Sequence, residues 1–168
     1  MAAQYEIYIV RHDLAEERGE AWPDDTKRPL TEEGMQRMRK ASRSLARLGV
    51  EIDVVLTSPL VRTRQTAEIF AAAFSPHPAV VNLDALGPDG GASAVIAELD
   101  KYSKKRHIAL VGHEPGVGEL GARLLGTRQP MEFKKGAVCR IDFDALPPKG
   151  PGALRWFATP KILRNLKK

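Results

Sequence analysis

Short apolar runs that stop abruptly at polar residues limit this chain more than any other feature. Tyr5-Glu6-Ile7-Tyr8-Ile9-Val10 ends at Arg11-His12-Asp13, and Ile52 to Thr57 ends at Ser58-Pro59. His107-Ile108-Ala109-Leu110-Val111 ends in the same way, at Gly112-His113-Glu114-Pro115. Runs this short, rich in β-branched and aromatic residues, read as buried strands. Between them lie stretches with helical periodicity. Thr31 serves as the N-cap of a helix with Glu32 and Glu33 in its first turn, running to about Leu48 with Met35, Met38, Ala41, Ser42, Leu45 and Leu48 inward. A second helix follows Ser58 as N-cap and Pro59 at its first position, extending to about Phe74.

The rest of the chain continues the alternation. Pro78 to Leu83 is a shorter strand signal, Ala94 to Tyr102 and Val117 to Leu125 suit helices, and Val138 to Phe143 and Leu154 to Ala158 suit two late strands. The stretch from Ala15 to Arg28 is polar, broken by Gly19 and Pro23, and reads as a loop. Strands alternating with helices form βαβ units, so the expectation is a single α/β domain over residues 1–168: a three-layer α/β/α sandwich around a largely parallel sheet. The length is sufficient for one sizeable core.

Composition narrows the setting. No apolar run approaches the roughly 20 residues needed to span a bilayer, and Met1 to Glu6 has no basic segment followed by an apolar stretch. Cys139 is the lone cysteine, which rules out an internal disulfide framework and fits a reducing compartment, so a cytoplasmic location is expected. The net charge is +5, which suits an anionic substrate or partner. Part of that charge lies in Lys161, Arg164, Lys167 and Lys168, read as a solvated basic end. Charge alone does not make a nucleic-acid binder, and neither zinc-finger spacing nor an aromatic-rich RNA-binding strand is present.

Open parallel sheets bind ligands outside the carboxyl ends of their strands. Arg11 and His12 follow the first strand, Arg62 lies one turn into the helix after the second, and His113 follows a later strand. Two permanent cations and two imidazoles at one sheet edge suit a highly charged oxyanion. An arginine fork grips two phosphoryl oxygens and stays protonated. A histidine attacks phosphorus only when neutral, and nearby guanidinium groups favour that form. A second histidine can stabilise charge on the transferring oxygens. Taken singly, Arg11 and Arg62 also suit salt bridges, and each histidine suits a polar surface position. Their meeting at one edge points to a phosphate site. No metal ligands cluster in the sequence, so neither metal nor other cofactor is expected.

Arg11-His12, Ser58-Pro59-Leu60-Val61-Arg62-Thr63-Arg64-Gln65-Thr66-Ala67 and Gly112-His113 together resemble the histidine phosphatase superfamily, the phosphoglycerate mutase-like group. Arg28-Pro29-Leu30-Thr31-Glu32-Glu33-Gly34 adds to the likeness. The short length and the lack of a large insertion are similar to the SixA-like phosphohistidine phosphatase branch. The resemblance implies a phosphoglycerate mutase-like fold and a covalent phosphohistidine intermediate on His12, with Arg11 and Arg62 holding the phosphoryl group and His113 completing the pocket. Thr31 stays a helix cap. Arg28 either leans over the pocket to meet substrate or is a surface charge.

The chain departs from the family pattern in two places. Asp13 occupies the usual glycine position of the first motif. Its carboxylate would repel phosphate unless it pairs with an arginine or turns away, and it is also a candidate to orient His12 or supply a proton. Larger relatives place a glutamate after the third strand; here the segment reads Leu83-Asp84-Ala85-Leu86, so Asp84 is the substitute acid to consider, with Glu114 as another. An alkoxide leaving group generally needs a proton, worth about 10²–10⁴-fold, whereas a protonated imidazole leaves readily. The weak acid therefore favours phosphohistidine in a signalling protein over a small phosphorylated metabolite. The alternatives are a small-molecule phosphomonoesterase using Asp84 or Asp13, and a phosphate-binding module weakened by Asp13.

Overall fold

The computed structural model describes residues 3–167. Six strands form one sheet: β1 (Tyr5–Arg11), β2 (Val54–Thr57), β3 (Ala79–Asn82), β4 (His107–Gly112), β5 (Val138–Phe143) and β6 (Ala153–Ala158). Their order is β3-β2-β4-β1-β5-β6. The first four run parallel, while β5 is antiparallel to both β1 and β6. The short link from β5 to β6 imposes that direction, since a tight connection joins only antiparallel neighbours.

Successive side chains of a strand face opposite ways, and the sheet uses both faces. Ile7, Ile9, Leu56 and Leu110 pack with α3 (Ala92–Glu98) and α4 (Gly116–Leu125). Tyr8, Val10, Val55 and Val111 pack with α1 (Glu32–Arg47), α2 (Val61–Ala72) and α5 (Pro160–Asn165). The expected three-layer sandwich is the fold observed.

Several local expectations hold in detail. Thr31 caps α1, its Oγ1 accepting the Gly34 N–H at 2.9 Å. Met38, Ala41, Ser42 and Leu45 are buried. Leu48 is not: it follows the last helical turn and is 57% exposed. The helix after β2 begins at Val61 rather than Pro59, with Leu60 in the N-cap position. The cause is the sheet itself. Ser58 still donates its N–H to the Val111 carbonyl at 3.0 Å, so the chain cannot turn into a helix until it has left β4.

The C-terminal segment was expected to be a solvated tail and is instead partly a packed helix. Thr159 and Pro160 start α5, and Leu163 is 2% exposed against the α1 layer. Lys161 and Lys167 are exposed, Arg164 is half-buried, and Lys168 lies outside the described residues. The polar stretch before α1 also holds more order than a plain loop. Asp24 accepts the Thr26 N–H at 3.0 Å and starts a single 3₁₀ turn, Asp25–Lys27.

No helix among the described residues is long and apolar enough to cross a membrane.

Candidate active site

Parallel pairing brings the strand ends level. Arg11 is in register with Gly112, and Thr57 with Val111. His12 continues the ladder beyond β1, donating its N–H to the Gly112 carbonyl at 3.0 Å. On the other side, the Gly136 N–H lies 3.1 Å from the Arg11 carbonyl and 3.0 Å from that of His12. Gly136 adopts φ +83°, a left-handed conformation that glycine enters without a Cβ penalty. The backbone of Arg11 and His12 is thus held from both flanks.

His12 is 5% exposed, and its Nδ1 sits 2.7 Å from the carbonyl of Asp13. A carbonyl only accepts, so Nδ1 carries the ring proton and Nε2 presents a lone pair. Burial pushes the imidazole pKa down to about 3, with Arg62, Arg11 and His113 pushing the same way and the Asp13 carbonyl opposing them. His12 is therefore neutral through the whole physiological range.

The phosphoryl-binding candidates surround it. A cavity of about 600 Å³ is lined by Arg11, His12, Arg28, Arg62, His113 and Glu114, among others. Arg11 donates through Nη1 to the Phe133 carbonyl at 2.6 Å. Arg62 donates through Nη1 to the Asp25 carbonyl at 2.8 Å and through Nη2 to the Asp25 carboxylate at 3.0 Å. Arg11 Nε, Arg62 Nε and His113 Nε2 are buried without hydrogen-bond partners among the described residues. Buried donors left unmatched are costly. The two arginine Nε donors, from residues lining one cavity, suit an oxyanion as the missing partner. Burial lowers the His113 pKa, with Arg62 and Arg11 adding to the effect and a hydrogen bond to the Glu114 backbone opposing it.

The structure separates the remaining candidates. Arg28 is 8% exposed and lines the cavity, donating through Nε to Asp25 at 2.9 Å and through Nη1 to the Glu16 carbonyl at 2.7 Å. It is not a free surface charge. Asp13 is 1% exposed and does not line the cavity. Its Oδ1 accepts the Leu14 N–H at 2.7 Å, and its Oδ2 lies where a Cβ on Gly136 would fall. The carboxylate is therefore not part of the cavity wall. Asp84 is exposed on the 3₁₀ turn Asp84–Leu86 and is also absent from the lining, so it is not brought to the site. Glu114 is in the lining. Burial raises its pKa, and its Oε1 accepts the Gly118 N–H at 2.8 Å.

Asp25 is the site residue that the sequence reading missed. It lies within a segment read as loop, yet it joins Arg62, Arg28 and, at 3.6 Å, Arg18. The available signal was its place three residues before Arg28, after an aspartate able to cap a turn. Among the described residues, no three His, Cys, Asp or Glu side chains are grouped to hold a metal ion.

Known proteins resemble this chain in sequence and fold. The sequence pattern of the histidine phosphatase superfamily (branch 1) matches residues 7–86. An uncharacterized protein of Picosynechococcus sp. is 41% identical over 117 residues, 68% of this chain and 69% of that one. Phosphohistidine phosphatase SixA of Escherichia coli is 29% identical over 167 residues, 96% of this chain and 98% of its own. The solved structure of protein histidine phosphatase SixA complexed with tungstate superposes with a TM-score of 0.82 at 30% identity, covering 94% of this chain and 99% of that one. The chain belongs to the histidine phosphatase superfamily, and the activity this defines is that of a phosphatase. Within that family its likeness is to the SixA-like branch.

Proposed function

We propose that the protein is a metal-independent phosphatase that removes phosphoryl groups from phosphohistidine in a signalling protein, through a covalent intermediate on His12. One observation carries this reading: a buried His12 with its proton held on Nδ1 offers Nε2 among Arg11, Arg62 and His113, and the Nε of each arginine has no hydrogen-bond partner among the described residues.

The lone pair of His12 Nε2 attacks phosphorus, and the bond from phosphorus to the substrate nitrogen breaks. The leaving imidazole keeps that electron pair on the departing nitrogen and leaves as a neutral ring, because its other nitrogen already carries a proton taken from solvent. Arg11, Arg62 and His113 stabilise charge on the equatorial oxygens as that bond lengthens. Water then attacks the phosphorus of phospho-His12, returning the electron pair to Nε2 and releasing inorganic phosphate.

The placement of three candidate acids supports a nitrogen leaving group. Asp84 and Asp13 are outside the lining, and Asp25 is engaged by arginines. The name of the Escherichia coli relative supports the same substrate class. A second reading, a small-molecule phosphomonoesterase, is favoured by Glu114, a cavity-lining carboxyl whose pKa burial raises. The deciding assay compares a phosphohistidine protein with alkyl and aryl phosphates, with chelator and alongside His12→Ala and Glu114→Gln. Preference for phosphohistidine, undisturbed by chelator or Glu114→Gln and lost in His12→Ala, is the expected result. Faster turnover of alkyl phosphates that collapses in Glu114→Gln would establish the second reading instead.

A further inference from the structure

Asp13 follows His12 directly, and its side chain is buried beside the backbone of the proposed nucleophile. No residue other than glycine has positive φ among those described, so Asp13 occupies its position with ordinary backbone geometry. What its side chain does is visible in the turn that it closes. The Asp13 carbonyl is the acceptor for His12 Nδ1, and the Asp13 carboxylate accepts the next N–H in the chain, that of Leu14. The Leu14 carbonyl is fixed in turn. It accepts the Thr31 N–H at 2.9 Å, and it lies so close to Gly34 that a Cβ there would collide with it. The carboxylate therefore connects the nucleophile's turn to the capped start of α1.

The environment of the carboxylate fits this role. Its second oxygen packs against the Gly136 backbone and near Pro160, the first residue of α5. Burial raises its pKa, with the Leu14 N–H, Arg37 on α1 and Arg164 on α5 opposing that rise and Glu33 adding to it, and Oδ2 has no hydrogen-bond partner among the described residues. It is thus a buried acceptor set between two helices and the backbone of His12, outside the cavity lining.

We propose that Asp13 is a positioning residue for His12: its carboxylate locks the His12–Leu14 turn so that the Asp13 carbonyl holds His12 in the Nδ1-protonated tautomer with Nε2 free. The proposal rests on His12 being the nucleophile. It assigns Asp13 no contact with substrate and no proton transfer.

The test compares Asp13→Ala, Asp13→Gly and Asp13→Asn with the wild type. Asparagine keeps the Oδ1 acceptor, whereas alanine and glycine remove it. Nitrogen-15 chemical shifts of the His12 ring report the tautomer without any substrate, and turnover of an activated aryl phosphate reports the consequence. Wild type and Asp13→Asn are expected to show one Nδ1-protonated tautomer and kcat within about threefold of each other. Asp13→Ala and Asp13→Gly are expected to show both tautomers, with kcat about tenfold lower and KM nearly unchanged. A single Nδ1-protonated tautomer and wild-type kcat in Asp13→Ala and Asp13→Gly would overturn the proposal. Equal losses in Asp13→Asn and Asp13→Ala would overturn it too, since the acceptor would then be irrelevant. Absence of turnover in the wild type would instead defeat the phosphatase mechanism, and the ring shifts would still decide the role of Asp13.

Discussion

Asp25 holds Arg62 twice, through its backbone carbonyl at 2.8 Å and its carboxylate at 3.0 Å, and so engages both terminal nitrogens of a guanidinium whose buried Nε has no hydrogen-bond partner among the described residues. The same carboxylate accepts Arg28 Nε at 2.9 Å. The loop before α1 is thereby fastened to α2, and two cationic side chains are set in place by one anion. Because the carboxylate is partly open to water, its charge is screened and its energetic share is modest.

Asp25→Ala is therefore expected to lower kcat/KM by about tenfold, as two guanidinium groups lose a shared anchor. The sharper measurement is a double-mutant cycle with Arg28→Ala. Residues in one network couple by roughly 0.5–3 kcal/mol, and about 1 kcal/mol is expected here. Strict additivity in kcat/KM would show that the contact between Asp25 and Arg28 has no part in catalysis.

His12 makes stability depend on pH. Its folded pKa of about 3 lies below the unfolded value of roughly 6.5, so the unfolded chain takes up a proton that the folded one refuses. Stability therefore falls as pH drops through that window, by up to about 1.4 kcal/mol per pH unit. Urea unfolding at pH 8 and pH 5 is expected to show a loss about 2 kcal/mol smaller in His12→Asn than in wild type. Equal losses would mean that His12 is charged in the fold at pH 5. His113, also depressed by burial, adds a loss of the same sign in both proteins.

Leu163 anchors α5. Its truncation to alanine is expected to destabilise the fold by about 3 kcal/mol, within the range for buried leucines. Ile162, next to it and 54% exposed, is the control: Ile162→Ala is expected to change stability by less than about 0.5 kcal/mol in the same urea titration.

Gly136→Ala places a methyl group against the Asp13 carboxylate and Pro160 at a backbone angle that alanine adopts poorly. The left-handed conformation alone costs about 1–2 kcal/mol. Combining the change with Asp13→Gly is expected to recover part of the loss, and the unrecovered part measures the backbone penalty. If Asp13→Gly recovers nothing, the two residues do not meet.

The sequence revealed most of the frame because the frame rests on short-range rules. β1, β2 and β4 are apolar runs with abrupt ends, and α1 announces itself through Thr31 and its acidic first turn. Arg11, His12, Arg62 and His113 line one cavity because equal registers bring the strand ends level. What stayed hidden depends on distant contacts. Nothing local in Lys161 to Lys168 indicates that Leu163 meets the α1 layer, so the segment looked like a charged tail. Nothing local in Asp25 indicates that Arg62, far along the chain, turns back to it. The start of α2 was misplaced for a related reason, since the hydrogen bond from Ser58 to Val111 spans two segments remote in sequence.

Every bond that fixes the His12 backbone is made by main-chain atoms, with Gly112 on one side and Gly136 on the other. The imidazole contributes none of them. Under the proposed mechanism, a variant without that ring is expected to keep the socket, its two guanidinium groups and His113, and to lose turnover. Such a protein is expected to act as bait, holding the proposed phosphorylated substrate that the intact protein would release and so allowing its isolation from cell extracts.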